Sequence, residues 1–116
     1  MGIYRTYAGD DGESHIEELD VSQHPELETL QLLQGLRLRQ PQPQQYPPSD
    51  PRAFHNAPQR QWVAIVQGRA EVGLGDGSTH RFQKGDMVLF EDVTGHGHTI
   101  TWPEPSILCV MPLLNQ

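Results

Sequence analysis

From Gln61 to the C-terminus the chain is cut into short β-prone runs, each ended by glycine, proline or aspartate. "QWVAIVQG", "RAEVGL", "THRFQ", "MVLFE", "HTITW" and "SILCVMPLL" follow one another, separated by "GDGS", "KGD", "DVTGHG" and "PEP". No run is long enough for a typical amphipathic helix, and Asp76-Gly77 is a tight-turn dipeptide. Many short strands at close, regular spacing describe a β-sandwich or a closed barrel. Eleven glycines and ten prolines among 116 residues point the same way, and the length suits one compact domain with its own core.

The N-terminal half is less regular. "IYRTYA" at 3–8 and "SHIEELDV" at 14–21 flank the turn sequence "GDDGE", which predicts a hairpin. In "PELETLQLLQG", Leu27, Leu30 and Leu33 are three apart, so a turn or two of helix competes with irregular structure. "GLRLRQ" at 35–40 alternates like a strand whose arginines face water. "QPQPQQYPPSDPR" at 40–52 is too rich in proline for a helix or a central strand and reads as a connecting loop, with a lid over a site as its sharper use.

Charge limits the partners. Fifteen acidic against eight basic residues leave a formal net charge of -7, which disfavours nucleic acid and anionic membrane surfaces. No window approaches the ~20 apolar residues of a membrane span, and the first residues lack the apolar core of a signal peptide. The single cysteine, Cys109, lies among apolar residues and reads as core. A reducing, cytoplasmic location is the expectation.

Two segments carry polar residues at informative spacings. "HNAPQRQWVAIVQG" places His55, Ala57, Gln61 and Gly68 in series, and "KGDMVLFEDVTGHGHTITW" places Gly85, Glu91, Gly95, His98 and Trp102. Together they resemble the two motifs of the cupin superfamily, G-x5-H-x-H-x3,4-E-x6-G and G-x5-P-x-G-x2-H-x3-N. His55 takes the first histidine position, Ala57 stands at the second, Gln61 at the glutamate and Gly68 at the closing glycine. Glu91 stands for the proline, Gly95 and His98 keep the G-x2-H spacing, and Trp102 stands for the asparagine. More narrowly, the "H-N-A-P-x-R-Q" start and the "E-D-x-T-G-x-G-H" loop are similar to those of a group of small, functionally uncharacterised single-domain bacterial cupins.

The resemblance implies an all-β, cupin-type jelly-roll barrel, a single domain over 1–116 with its motifs at about 53–102 and the N-terminal strands and 40–52 loop around them. It implies a divalent metal (Fe, Mn, Ni, Co, Cu or Zn) at His55, Gln61 and His98, the ion types that imidazole and carboxylate donors suit. Ala57 cannot coordinate, and Gln61 offers a neutral carbonyl where a charged carboxylate is usual, so the set holds an ion weakly. His15, His96, Glu91 and Asp92 are further candidates to complete it. The competing structural roles are a backbone cap at the rim for His55 and a hydrogen-bonded core position for His98. A buried Gln61 needs partners, since an unsatisfied buried amide costs roughly 1–3 kcal/mol. Arg60 is a candidate for an anionic ligand, and His24 and His80 read as surface residues.

Three functions follow as expectations. The first is a small-molecule-binding cupin with Gln61, His55, His98 and Arg60 at the ligand and a weakly held divalent metal. The second is a metal-dependent enzyme: an oxygenase, isomerase or lyase. The third is a structural or interaction protein with a vestigial pocket, paired as a homodimer through "SILCVMPLL".

Overall fold

The computed structural model describes residues 2–20, 35, 37–39, 53–114 and 116. The helical turn expected at Leu27, Leu30 and Leu33, His24, and the proline-rich loop at 40–52 with its lid role lie outside the described residues.

Among the described residues the chain is all-β. The strands are β1 (Ile3–Ala8), β2 (Ser14–Glu18), β3 (Arg37–Arg39), β4 (Gln61–Gln67), β5 (Arg69–Gly73), β6 (Thr79–Gln83), β7 (Met87–Phe90), β8 (Thr99–Thr101) and β9 (Ile107–Pro112). Six of them form one sheet in the order β2-β1-β7-β4-β9-β3, and three form a second in the order β6-β5-β8. All pairings are antiparallel except β1 with β7. The hairpin expected at 3–21 is present as β1 and β2, turned at Gly12 with φ +80°.

The two sheets face each other but do not close into a barrel, so the expectation of a closed shell is met only in its coarser part. Gly68 marks the division. Its φ is +82°, and a side chain there would run into Ser106 and, at 2.7 Å, into the Pro105 carbonyl oxygen. The chain thus turns sharply after β4 and enters the other sheet as β5, where a barrel wall would have continued.

Alternation along the strands then sets the core. Val63 and Ile65 of β4, Val88 and Phe90 of β7, and Leu108 and Val110 of β9 face inward, where they meet Ala70, Val72 and Phe82 of the small sheet, and Trp102. Trp62, Leu89 and Met111 point to the opposite face and pack with Leu19 and Leu113. The six-stranded sheet is therefore apolar on both faces, which is why "QWVAIV" reads as a continuous apolar run and not as a strict alternation. Trp62 is 0% and Phe82 1% exposed, and burial on that scale stabilises by roughly 1.5–3 kcal/mol per large side chain.

Asp86 fixes the approach to β7. One carboxylate oxygen accepts from the Gly2 amide at 2.9 Å and the other from the Gln83 amide at 2.8 Å, tying the β6–β7 turn to the start of β1. β9 lies inside the large sheet, paired with β4 along most of its length and with β3 over Leu108, Cys109 and Val110. No helix among the described residues is long and apolar enough to cross a membrane.

Candidate functional site

Between the sheets lies a cavity of about 260 Å³. Its body is apolar, built from the inward side chains of β4, β7 and β9 on one wall and from Ala70, Phe82, Ile100 and Trp102 on the other. Its polar lining is His55, Asn56, Gln61, His98 and Arg39. The structure thus brings together the residues expected at 55, 61 and 98, and Ala57 stands in the same wall.

His55 and His98 meet through the backbone as well. They form an isolated antiparallel bridge, each amide donating to the other's carbonyl at 2.9 Å, with ring centroids 4.8 Å apart. Gly97 makes this approach feasible. It sits at φ +83°, and a Cβ there would collide with the His55 carbonyl. Gly95, also at positive φ, turns the same loop, and Asn56 steadies it by donating to the Gly95 carbonyl oxygen at 3.1 Å.

The two histidines differ in surroundings. His55 is exposed, with Nδ1 3.2 Å from the Ala53 carbonyl oxygen. His98 is buried, and its Nδ1 lies 2.5 Å from Oδ2 of Asp92, which is itself fully buried. The Ser14 hydroxyl, carried in by β2, donates to the same oxygen at 2.7 Å. A carboxylate facing Nδ1 favours the proton there, which leaves the Nε2 lone pair as the ring's acceptor. His98 is thus both the hydrogen-bonded core histidine and a lining residue of the cavity. Asp92 was one of several acidic candidates in the sequence. Its partnership with His98 across a loop of two glycines at positive φ carries no spacing signal.

Gln61 is 8% exposed, and its Oε1 accepts from Gln59 Nε2 at 3.4 Å. That long bond leaves the amide available to the cavity it lines. Arg60 is placed differently from the ligand-binding role expected of it. Its Nε and one terminal nitrogen lie 2.8 and 2.7 Å from Glu91, and it does not line the cavity. Glu91 also accepts from Arg5 at 2.6 Å and so sits between two guanidinium groups. Burial works against the charged form of Arg5, but its bonds to Glu91 and Glu17 outweigh that and hold its pKa above the ordinary value.

The other sequence candidates lie elsewhere. His15 pairs with Asp11 at 3.0 Å and His96 with Glu13 at 2.9 Å, both on the exposed side of the β1–β2 turn. His80, expected at the surface, is half-buried, because its position on β6 shares the inward face with Phe82, and it packs against Tyr4 and Phe82.

For a metal, the donors gathered here are two imidazoles and one neutral amide. Among the described residues no three His, Cys, Asp or Glu side chains form a metal-binding group. Asp92 lies behind His98 and binds its Nδ1, so it orients that ring and adds no donor of its own. The donor set falls short of a full facial triad and fits only a weakly held ion. No protein-family model matches the chain, and no curated protein matches it.

Proposed function

We propose that the protein binds a small molecule in the cavity between its two sheets, in the manner that its resemblance to the small cupins implies. The observation that carries this reading is the arrival of His55, Gln61 and His98, from two segments far apart in sequence, at one apolar cavity. An apolar hollow with a few convergent polar groups is the usual form of a small-molecule site. At about 30 Å³ per water molecule, 260 Å³ corresponds to roughly nine waters, so the ligand has on the order of ten non-hydrogen atoms.

Ala70 offers the test. It is 1% exposed and lines the cavity, so Ala70→Leu fills part of the void from β5 of the small sheet. Small-molecule fragments that bind the wild-type chain by ligand-observed NMR should lose binding to this variant while its melting temperature stays close to wild type. Fragments that bind both proteins equally would place the binding surface elsewhere.

A second reading adds a divalent ion (Fe, Mn, Ni, Co, Cu or Zn) held by His55, His98 and Gln61. The Asp92–His98 bond favours it, since ligating histidines usually give their other ring nitrogen to a carboxylate or carbonyl. Such an ion would supply Lewis acidity to a bound ligand's oxygen. An oxygenase, isomerase or lyase would need that ion firmly held, and Ala57 contributes no donor. Elemental analysis of untagged protein tests this reading, with His55→Ala expected to lower the metal content. Equal content in wild type and variant would remove His55 from the site.

A further inference from the structure

Strand β3 lies at the edge of the large sheet and presents its side chains in an unexpected sense. In "RLR" the apolar residue would ordinarily face the core and the arginines the solvent. Pairing with β9 sets the opposite. Arg37 stands across from Val110, Arg39 across from Leu108, and Leu38 across from Cys109. Residues directly opposite on paired strands share a face, and Leu108 and Val110 face the cavity. The arginines are therefore on the cavity side and Leu38 is turned away, 73% exposed. A strand that exposes its leucine and sets one cation, Arg39, at the rim of an apolar hollow breaks the local pattern, and such breaks concentrate at functional positions.

The charge environment supports this. Arg5, Arg60 and Arg81 each meet a carboxylate within 3.4 Å, whereas among the described residues no carboxylate pairs with Arg37, Arg39 or Arg69. Of these three, only Arg39 lines the cavity. It lines the cavity together with Gln61, and both continue into an adjoining groove beneath β3. The chain carries a net charge of -7, so an anion approaching it is repelled unless a local cation compensates. Asp92, the buried carboxylate behind the site, is engaged by His98 and Ser14.

We propose that the ligand is a small monocarboxylate with an apolar body, its carboxylate met by the Arg39 guanidinium and the Gln61 amide and its hydrocarbon seated between the sheets. The planar guanidinium fork matches a carboxylate in geometry and charge, and the apolar walls take the remainder. This rests on the cavity reading above and adds the ligand's charge and class.

The test is isothermal titration of the full chain with 3-phenylpropanoate and hexanoate against their neutral isosteres, 3-phenylpropanamide and hexanamide. Wild-type protein should bind each acid more tightly than its amide, on the order of tenfold or more. Arg39→Gln should bring that ratio close to one by weakening the acids far more than the amides, and Arg37→Gln, which borders only the groove, should preserve most of it. Arg39 is exposed, so folding of the variant is checked by an unchanged melting temperature. Amides that bind as well as acids, or a ratio that survives Arg39→Gln, would overturn the proposal and leave the cavity reading intact. No binding of any of the four probes would overturn both.

Discussion

Removing the Asp92 carboxylate should be among the most damaging single changes available in the molecule. Asp92 is fully buried and one of its oxygens accepts from both Ser14 and His98, at 2.7 and 2.5 Å. Asp92→Ala deletes two hydrogen bonds to a charged acceptor, each worth about 1.5–3 kcal/mol. It also strands two donors, on Ser14 at 2% and His98 at 3% exposure, where water reaches them poorly. Truncating one partner of a buried pair typically costs about 3–5 kcal/mol, and a domain of this size has only about 5–15 kcal/mol in total. Ser14→Ala removes one bond and leaves the carboxylate attached to His98, so its cost should be nearer 1–2 kcal/mol. The assay is equilibrium unfolding in urea. With a slope near 2 kcal/mol/M, the Asp92→Ala midpoint should fall by about 2 M with the slope unchanged, and Ser14→Ala by less than half of that. A loss under 1 kcal/mol for Asp92→Ala, or equal losses for the two variants, would refute the view that this carboxylate anchors His98.

Three further outcomes are expected. Gly97→Ala places a Cβ against the His55 carbonyl and holds a non-glycine residue at φ +83°, so it should destabilise the protein by more than about 2 kcal/mol and shift the His55 and His98 amide resonances together. The carboxyls of Asp11 and Asp76 are held below the ordinary 3.8, the first chiefly by its bond to His15 and the second by Ser78. A depressed folded pKa stabilises fully above the unfolded value and loses that contribution as pH falls through the folded one, so Asp11→Asn and Asp76→Asn should each flatten stability against pH below about 4, read from thermal melts across pH 2–7. Ala57→His combined with Gln61→Glu adds an imidazole and a charge within the cavity wall that already holds His55 and His98, and should raise zinc affinity at least tenfold by competition with a chelating dye; unchanged affinity would mean that the four positions do not converge on one point.

Strand placement was readable because turn chemistry and strand chemistry agree in this chain. Asp76-Gly77 and Gly85 occupy turns, with Gly77 and Gly85 at positive φ, and the runs between the turns became β4 to β9 within a residue or two of their expected limits. The arginines of β3 are exposed, as its alternation indicated, but the exposure of Leu38 was not readable. It follows from the register with β9, a partner some seventy residues away, which puts Leu38 opposite Cys109 and not on the face of Leu108 and Val110. The meeting of His55, Gln61 and His98 was legible from motif spacing but not from strand parity, since His55 lies ahead of β4, beyond a bend at 58–60, and reaches the cavity through its bridge to His98. Asp92 was harder to assign, since its neighbour Glu91 points the other way and pairs with Arg5 and Arg60, and only the curl of the loop through Gly95 and Gly97 returns His98 to it. The pairing of Arg60 with Glu91, thirty-one residues away, was likewise not legible from sequence.

The most direct test of the account follows the imidazole nitrogens of His55 and His98 by ¹⁵N NMR while an aromatic fragment is titrated into the full chain. Both rings should respond together, along with the methyls of Val63, Val88 and Val110, and Ala70→Leu should abolish the response. Perturbations centred instead on Trp62, Leu89 and Met111, on the far face of the large sheet, would contradict it.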